Sequence, residues 1–245
     1  MIGSRRVLAV VPARGGSKGI PLKNLREVGG RSLVGLVGDV IAEVPEIDRA
    51  VVSTDHEAIA KAAEDAGIAA PFRRPEALSG DRIGDVDVLS HALEATEAID
   101  GLRYDIVVML QPTSPLRIAA DISATVKMLA EGNWDSVWTV SVSDSKSHPL
   151  KQLTVTGGAL DYYDPRGAEI LARQQLQPVY HRNGIAYAIT RECLTEQHSI
   201  KGPRTGALVI DGEHVSIDTE WDLRLVEFIL EQRKQSNATR RVASS

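Results

Sequence analysis

The sequence predicts an α/β domain with a largely parallel sheet. Short apolar runs that suit buried strands recur along the chain, at 7–11, 50–53, 106–110, 137–140 and 185–189. Amphipathic stretches that suit helices lie among and after them, at 33–44, 57–66, 86–98, 122–130 and 221–232. This alternation is typical of helices packed on a mostly parallel sheet.

Length and composition fit one compact enzyme domain. The 245 residues are 43% hydrophobic and carry a net charge of −5, so the chain can bury a large core and lacks the bulk basicity of a nucleic-acid-binding protein. The first apolar run is too short for a membrane span, and we expect a cytoplasmic protein without signal peptide or anchor. Cys193 is the only cysteine, which excludes an intrachain disulfide and favours a small core residue.

Two segments depart from the regular alternation. Residues 144–182 are rich in Gly, Pro, Gln and Tyr and show no clear period, which indicates an excursion with its own role. Residues 235–245 are polar, and we expect a flexible tail there. The interpretation is a single domain over 1–234, with 144–182 as an arm inside it.

Residues 7–24, VLAVVPARGGSKGIPLKN, combine a buried strand with a glycine turn and several cations. The turn contains three glycines, and three cations accompany them: Gly15, Gly16, Gly19, Arg14, Lys18 and Lys23. Glycine permits close backbone approach, so successive amides can line a concave anion site. The alternative is a loop at a strand end with solvated lysines. Neither GxxxxGK[ST] nor GxGxxG occurs, which argues against a kinase-type ATPase and a nicotinamide dehydrogenase.

This string resembles the N-terminal signature of the CMP-sugar-acid synthetases, the acylneuraminate cytidylyltransferase family. Further segments resemble the family's motifs in the same order: VVSTD (51–55), RRPEALSGD (73–81), LQPTSPLR (110–117), HPLK (148–151), ARQQL (172–176), NGIAY (183–187) and SIDTEWDL (216–223). The resemblance spans nearly the whole chain. It implies a Rossmann-like nucleotidyltransferase fold with a dimerisation arm at 144–182.

The implied reaction is transfer of CMP from CTP to an acidic acceptor. An acceptor oxygen attacks the α-phosphate while pyrophosphate leaves, and the barrier is mostly electrostatic, so cations and a metal must dominate the site. The expected CTP-binding residues are Arg14, Gly15, Gly16, Ser17, Lys23, Asn24, Arg74 and Asp85. The expected catalytic residues are Arg14, Lys18, Lys23 and Asp218.

Asp218 is the candidate ligand for Mg²⁺, the cofactor that the chemistry and the resemblance imply. It is predicted to follow a strand and to precede the last helix, at the edge of the sheet where α/β domains place their sites. The alternative is that Asp218 or Thr219 caps that helix. Family members commonly have an aspartate two residues earlier, whereas this chain has Ser216, which can face the site without adding a charge.

Base recognition is assigned to Arg74 and Asp85. Arg74 matches the family's base-contacting arginine and can donate to the cytosine acceptors, and Asp85 can accept from the cytosine amino group. The alternative for Asp85 is an acid that stabilises the start of a helix.

Acceptor binding is assigned to residues from the main body and from the arm. The resemblance matches Gln111, Asn183 and Tyr187 to the family's acceptor site, and matches Arg173 to an arginine that reaches the site from the arm. Lys151 lies in the same arm. The resemblance therefore implies a homodimer with a shared active site.

Two positions depart from the family pattern at the acceptor. His181 stands where the family has its carboxylate-binding arginine, with Arg182 beside it, and the paired aromatics that wall the N-acyl group fall at Ser199 and Ile200. These departures weaken the inference to N-acetylneuraminate itself. The predicted acceptor is a nonulosonate, sialic-acid-like sugar acid, and a legionaminate-like or deaminated one is compatible. His181 and Arg182 are both assigned to acceptor binding. The alternative acceptor is a compact phosphonate such as phosphonoformate, bound with the help of His181. A regulatory protein without catalysis is disfavoured because the catalytic positions are retained.

Overall fold

The computed structural model describes the backbone of residues 1–243 and the side chains of residues 1–235. The strands are β1 Val7–Pro12, β2 Glu27–Val28, β3 Arg31–Ser32, β4 Arg49–Ser53, β5 Ile106–Met109, β6 Ser136–Val142, β7 Leu153–Thr156, β8 Ala159–Tyr162, β9 Tyr180–Thr190 and β10 Thr205–Val209. The helices are α1 Leu33–Ile41, α2 Glu57–Glu64, α3 Asp85–Asp100, α4 Ala119–Glu131, α5 Arg191–Thr195 and α6 Glu220–Ala243. Each strand and helix named in the prediction exists, with shifts at its ends.

The central sheet has six strands in the order β10-β6-β9-β5-β1-β4. β1 pairs in parallel with β4 and β5, and β6 pairs in parallel with β10. β9 runs antiparallel to both of its neighbours. The predicted α/β class with a mostly parallel sheet is confirmed. The chain leaves β1 toward β4 and returns to β5 on the other side, so the sheet has a topological switch point at the carboxyl ends of β1 and β5.

Alternating side chains of β1 pack into the two hydrophobic layers on opposite faces of the sheet, as expected for a strand buried on both faces. Val7, Ala9 and Val11 pack on the side of α1, α2 and α4, while Leu8 and Val10 pack on the side of α3 and α5. A third cluster packs α6 against the glycine turn and β2. This last contact brings the start of α6 to the same end of the sheet as the glycine turn.

The structure corrects two details of the sequence interpretation. The segment 144–182 contains a β-hairpin, β7 and β8, joined by Gly157 and Gly158 at positive φ. The alternation in LTVT-GG-ALDY and its two-residue glycine turn are a hairpin signal that the prediction missed. No strand directly precedes Asp218, because residues 210–219 are irregular after β10.

The C-terminal boundary is also different. The last helix extends to Ala243, beyond the predicted end at residue 232. The predicted flexible tail at 235–245 lies almost wholly outside the residues whose side chains are described, and it stays a prediction.

Candidate active site

A cavity of about 660 Å³ opens at the carboxyl ends of β1 and β5. Its lining includes most of the residues predicted for nucleotide binding and catalysis: Arg14, Ser17, Lys18, Lys23, Asn24, Arg74, Asp85 and Asp218. Gln111 and Ser216 also line it. The fold therefore gathers, at its topological switch point, residues that lie up to two hundred positions apart in the sequence.

None of the three glycines in the turn has a positive φ, so two of them are needed because other atoms lie too close for a side chain. A Cβ on Gly19 would lie 2.7 Å from the carbonyl oxygen of Asp218, and a Cβ on Gly15 would meet the ring of His56 at 3.0 Å. The amide of Gly15 donates to the Asp55 carboxylate at 2.8 Å, so that amide already has a partner. A Cβ on Gly16 would meet nothing within 4 Å.

Asp81 pairs with two of the predicted phosphate-binding cations. Its carboxylate lies 2.7 Å from the Arg14 guanidinium and 2.6 Å from the Lys18 ammonium. These contacts, first with Lys18 and then with Arg14, lower the pKa of Asp81. Sequence analysis did not single out Asp81, and its place in RRPEALSGD was the available signal.

Lys23 connects the glycine turn to the loop before α6. Its ammonium donates to the Ile217 carbonyl at 2.7 Å and to the Asp218 carboxylate at 3.0 Å. Asn24 is buried and donates its side-chain amide to the Arg14 carbonyl at 3.0 Å. Asn24 thus holds the backbone of the turn in place from below.

Thr219 caps α6, and the side chain of Asp218 takes no part in this cap. Asp222 accepts hydrogen bonds from the amides of Asp218 and Thr219, while its own amide donates to the Thr219 hydroxyl, a capping box. The Asp218 side chain is 76% exposed beside the cavity. Ile217 is fully buried between the two cavity residues 216 and 218, so the predicted alternation holds although this segment is not a strand.

Arg74 is held deep in the cavity wall. It is 6% exposed, and its Nε donates to the Ser53 hydroxyl at 3.0 Å while Nη2 donates to the Ser53 carbonyl. Burial lowers its pKa to about 10. Asp85 lines the same cavity and is also the first residue of α3, so both interpretations of this carboxylate remain open.

Gln111 lies against Gly184 in the β9 bulge, the stretch between Arg182 and Tyr187 where the pairing of β9 with β6 shifts register. A Cβ on Gly184, which has φ of 71°, would sit 2.6 Å from Gln111 Oε1. The buried Arg117 donates to the backbone carbonyls of both Gln111 and Gly184. Burial lowers the pKa of Arg117 to about 9, and its Nε and Nη1 have no described partner. Arg117, to which the sequence analysis gave no role, thus joins the two acceptor segments.

Asn183 and Tyr187 stabilise the bulge from within. The Asn183 side chain accepts from the Thr139 hydroxyl at 2.6 Å and donates to Ser141, and the Tyr187 hydroxyl accepts from the Gly184 amide at 2.8 Å. Both residues are buried and neither lines the cavity. Their contacts support a structural role, and direct contact with an acceptor stays a prediction.

His181 and Arg182 lie at the exposed start of β9 and point to opposite faces. His181 contacts the Ser143 hydroxyl at 3.1 Å. The Arg182 guanidinium lies over the rings of Trp138 and Tyr187, 5.2 and 5.9 Å from their centroids. Trp138, like Asp81 and Arg117, was not singled out from the sequence, because nothing in its local pattern separates it from an ordinary strand aromatic.

The arm carries Lys151 and Arg173 away from the cavity of their own chain. Both side chains are exposed, and neither lines the cavity. His148 anchors the arm, since its ring contacts the Gln177 carbonyl and accepts from the Leu150 amide, both at 3.1 Å. The two predicted arm residues are therefore separate from the cavity of this chain.

Comparison with known proteins places this arrangement in a family. The sequence profile described as Cytidylyltransferase matches residues 8–241, and the chain belongs to that family. None of the described helices is long and apolar enough to span a membrane.

The chain is similar to enzymes that make CMP-linked sugar acids. It is 30% identical to the CMP-N,N′-diacetyllegionaminic acid synthase of Legionella pneumophila, over 94% of this chain and 99% of that protein. It is 32% identical to the N-acylneuraminate cytidylyltransferase of Streptococcus agalactiae, over 88% of this chain and 51% of that longer protein. The structure of a CMP:2-keto-3-deoxy-manno-octonic acid synthetase complexed with CTP matches 93% of this chain and 99% of its own, with a TM-score of 0.66 and 18% identity, which shows a shared fold.

Proposed function

We propose that this cytidylyltransferase transfers CMP from CTP to a nonulosonate sugar acid and releases pyrophosphate. The observation that carries the proposal is the single cavity in which phosphate-binding cations, the buried Arg74 and Gln111 converge. The names of the two sequence relatives supply the acceptor class. A phosphonate acceptor gains no support from these relatives, and it is retained as an arm of the assay.

The triphosphate occupies the end of the cavity lined by Arg14, Lys18 and Lys23. Their charges offset the repulsion that builds as the acceptor oxygen approaches the α-phosphate. Arg14 and Lys18 pair with Asp81, and they contact the triphosphate when phosphate oxygens replace the Asp81 carboxylate. Arg74 and Asp85 hold the cytosine at the other end, with Arg74 kept in position by its bonds to Ser53.

The donor set suits Mg²⁺ bound together with CTP. No cluster of three or more metal-ligating side chains occurs among the described residues, so a protein-only site is not formed there. Mg²⁺ characteristically takes one or two carboxylates, substrate phosphates and water, and the exposed carboxylate of Asp218 offers the first of these. When bound, the metal neutralises charge on the phosphates. Lys23 holds Asp218 at the cavity edge and contributes its own charge.

A homodimer completes the site. Leu153, Val155, Leu160 and Tyr162 form cross-strand pairs on one face of the β7–β8 hairpin, and all four are exposed. An isolated two-stranded hairpin is marginally stable, so this apolar face needs a partner surface. A second subunit supplies that surface, and its arm brings Lys151 and Arg173 to the acceptor.

Pyrophosphate release with a panel of nucleotides and acceptors tests the proposal. CTP with Mg²⁺ and either N,N′-diacetyllegionaminate or N-acetylneuraminate should release pyrophosphate far faster than ATP or GTP. Pyrophosphate release with phosphonoformate, and with neither sugar acid, would support the phosphonate as the acceptor. Equal turnover of ATP, or turnover without any acidic acceptor, would contradict the cytidylyltransferase mechanism.

A further inference from the structure

We propose that Trp138 positions Arg182 as the residue that binds the carboxylate of the acceptor. The inference rests on the proposed function, because it names a contact within the acceptor site. The sequence predicts acceptor binding by both His181 and Arg182 but leaves positions 199 and 200 without an aromatic wall.

The first step is the register of β9. Trp138 of β6 pairs with Tyr187, whereas Val140 pairs with Arg182, so β9 has three extra residues between these pairs. An odd insertion inverts the alternation of side chains, and residues 182 and 187 therefore share the face of Trp138. The irregular stretch that contains Gly184 thus places Arg182 on the face of Trp138 and Tyr187, opposite to His181.

The second step is the aromatic platform. The rings of Trp138 and Tyr187 lie 5.2 Å apart with an interplanar angle of 37°, and the Arg182 guanidinium lies over both. The platform is itself fixed, because the Trp138 indole N–H donates to the Ile200 carbonyl at 2.9 Å and the Tyr187 hydroxyl accepts from the Gly184 amide. Trp138 thus contacts the backbone of Ile200, one of the two positions where the family pattern has its aromatics.

The third step is the state of the guanidinium. Arg182 is exposed and makes no hydrogen bond or ion pair with the described side chains. Stacking leaves its N–H edge free, and a planar fork of donors matches a carboxylate. Tyr187 links this edge to the cavity through Gly184, which packs against Gln111. Arg182, Trp138 and Tyr187 do not line the cavity. We expect an acceptor bound at Gln111 to extend beyond the cavity along Tyr187, which brings its carboxylate to Arg182.

The test compares the affinity of the protein for a sugar acid with its affinity for the methyl ester of the same acid, in which the carboxylate charge is removed. The two acids are N-acetylneuraminate and N,N′-diacetyllegionaminate. Binding is measured by calorimetry with protein saturated by a CTP analogue that has an α,β-methylene bridge. The wild type should bind N-acetylneuraminate or N,N′-diacetyllegionaminate about tenfold or more tightly than the ester, because a charge-assisted bond is lost. Arg182→Gln should bind acid and ester equally.

Variants of the platform separate positioning from folding. Trp138→Leu should reduce the acid-to-ester ratio several-fold, Trp138→Phe should retain most of it, and CTP affinity should not change in either. Trp134→Leu is the matched control at the other end of β6, and it should leave the ratio unchanged. An unchanged ratio in Arg182→Gln or Trp138→Leu, or no binding of either acid to the wild type, would overturn the inference. Failure of the proposed function is distinguishable, since acid binding would then depend on Arg182 without any pyrophosphate release.

Discussion

Each cation of the candidate phosphate site has an acidic partner within the same cavity. Arg14 and Lys18 share Asp81, and Lys23 holds Asp218. The two acids have different surroundings: Asp81 neutralises groups that the triphosphate needs, whereas Asp218 is highly exposed and suits a metal. Substitution of Asp218 should therefore impair the enzyme, whereas substitution of Asp81 should strengthen CTP binding.

Asp218→Asn should abolish catalysis without unfolding the protein. The substitution removes a hard anionic ligand, while the Thr219 capping box of α6 remains intact. We expect kcat to fall on the order of 100-fold, equivalent to about 3 kcal/mol of lost transition-state stabilisation, with Tm nearly unchanged. Steady-state kinetics and thermal unfolding check this. A large loss of stability with retained turnover would support a structural role for the carboxylate.

Asp81→Asn should strengthen CTP binding. Removal of the carboxylate releases Arg14 and Lys18 for the triphosphate, and exposed ion pairs of this kind change affinity by roughly two- to fivefold. The gain should shrink at high salt because the charges are screened. Titration calorimetry at two salt concentrations measures it, with Asp39→Asn as control, since Asp39 pairs with Arg31 outside the cavity. Weaker CTP binding would show that Asp81 itself contacts the nucleotide or its metal.

At the scale of elements, the glycine turn and the loop before α6 form one unit. Gly19 approaches the backbone of Asp218, Lys23 bonds to Ile217 and Asp218, and α6 packs its apolar face under the turn. The position of the proposed metal ligand is therefore set by packing between segments that lie two hundred residues apart.

Gly19→Ala tests this contact against a neighbouring glycine. The new methyl group would lie 2.7 Å from the Asp218 carbonyl oxygen, so the loop must shift. We expect a loss of about 1–3 kcal/mol in the free energy of unfolding and at least a tenfold loss in kcat/KM. Gly16→Ala, where a Cβ meets nothing within 4 Å, should change stability by less than about 0.5 kcal/mol. Urea denaturation and pyrophosphate release measure both, and equal behaviour of the two variants would contradict the proposed contact.

At the scale of the whole molecule, the apolar face of the β7–β8 hairpin is uncovered, and the predicted acceptor residues Lys151 and Arg173 lie outside the cavity. Val155 and Leu160 are 69% and 66% exposed and face the same side of the hairpin. Association of two subunits would cover this face and complete the site together.

The native mass should be twice 26.5 kDa. Val155→Asp combined with Leu160→Asp should give monomers with little activity, because charges then replace the apolar face. Light scattering coupled to size exclusion measures the mass. Ile99→Asp, at the exposed end of α3, is the control and should remain dimeric. A monomeric wild type that retains full activity would contradict the shared site.

A mixing experiment identifies the shared site directly. Arg173→Ala and Asp218→Asn should each be inactive alone, because each removes one component from every site. Exchange of subunits should restore part of the activity, since a mixed dimer contains one site with both components intact. No recovery after confirmed exchange would place Arg173 outside the site.

The sequence by itself determined the fold class, the family and most residues that line the proposed nucleotide half of the cavity. Buried strands and amphipathic helices have strong local periods, and the motif at 7–24 places Arg14 and Lys23 in the segment that follows the first strand. Such features depend on neighbours in the chain, so they can be predicted without tertiary structure.

Only the tertiary structure decided which side chains have partners and which face they present. The Asp81 pairing, the Thr219 cap, the role of Arg117 and the stacking of Arg182 on Trp138 all depend on contacts between distant segments. The β9 bulge is the clearest case, because three inserted residues invert the face of Arg182. Register between strands is set by packing across the sheet, and a local sequence pattern contains no information about the partner strand.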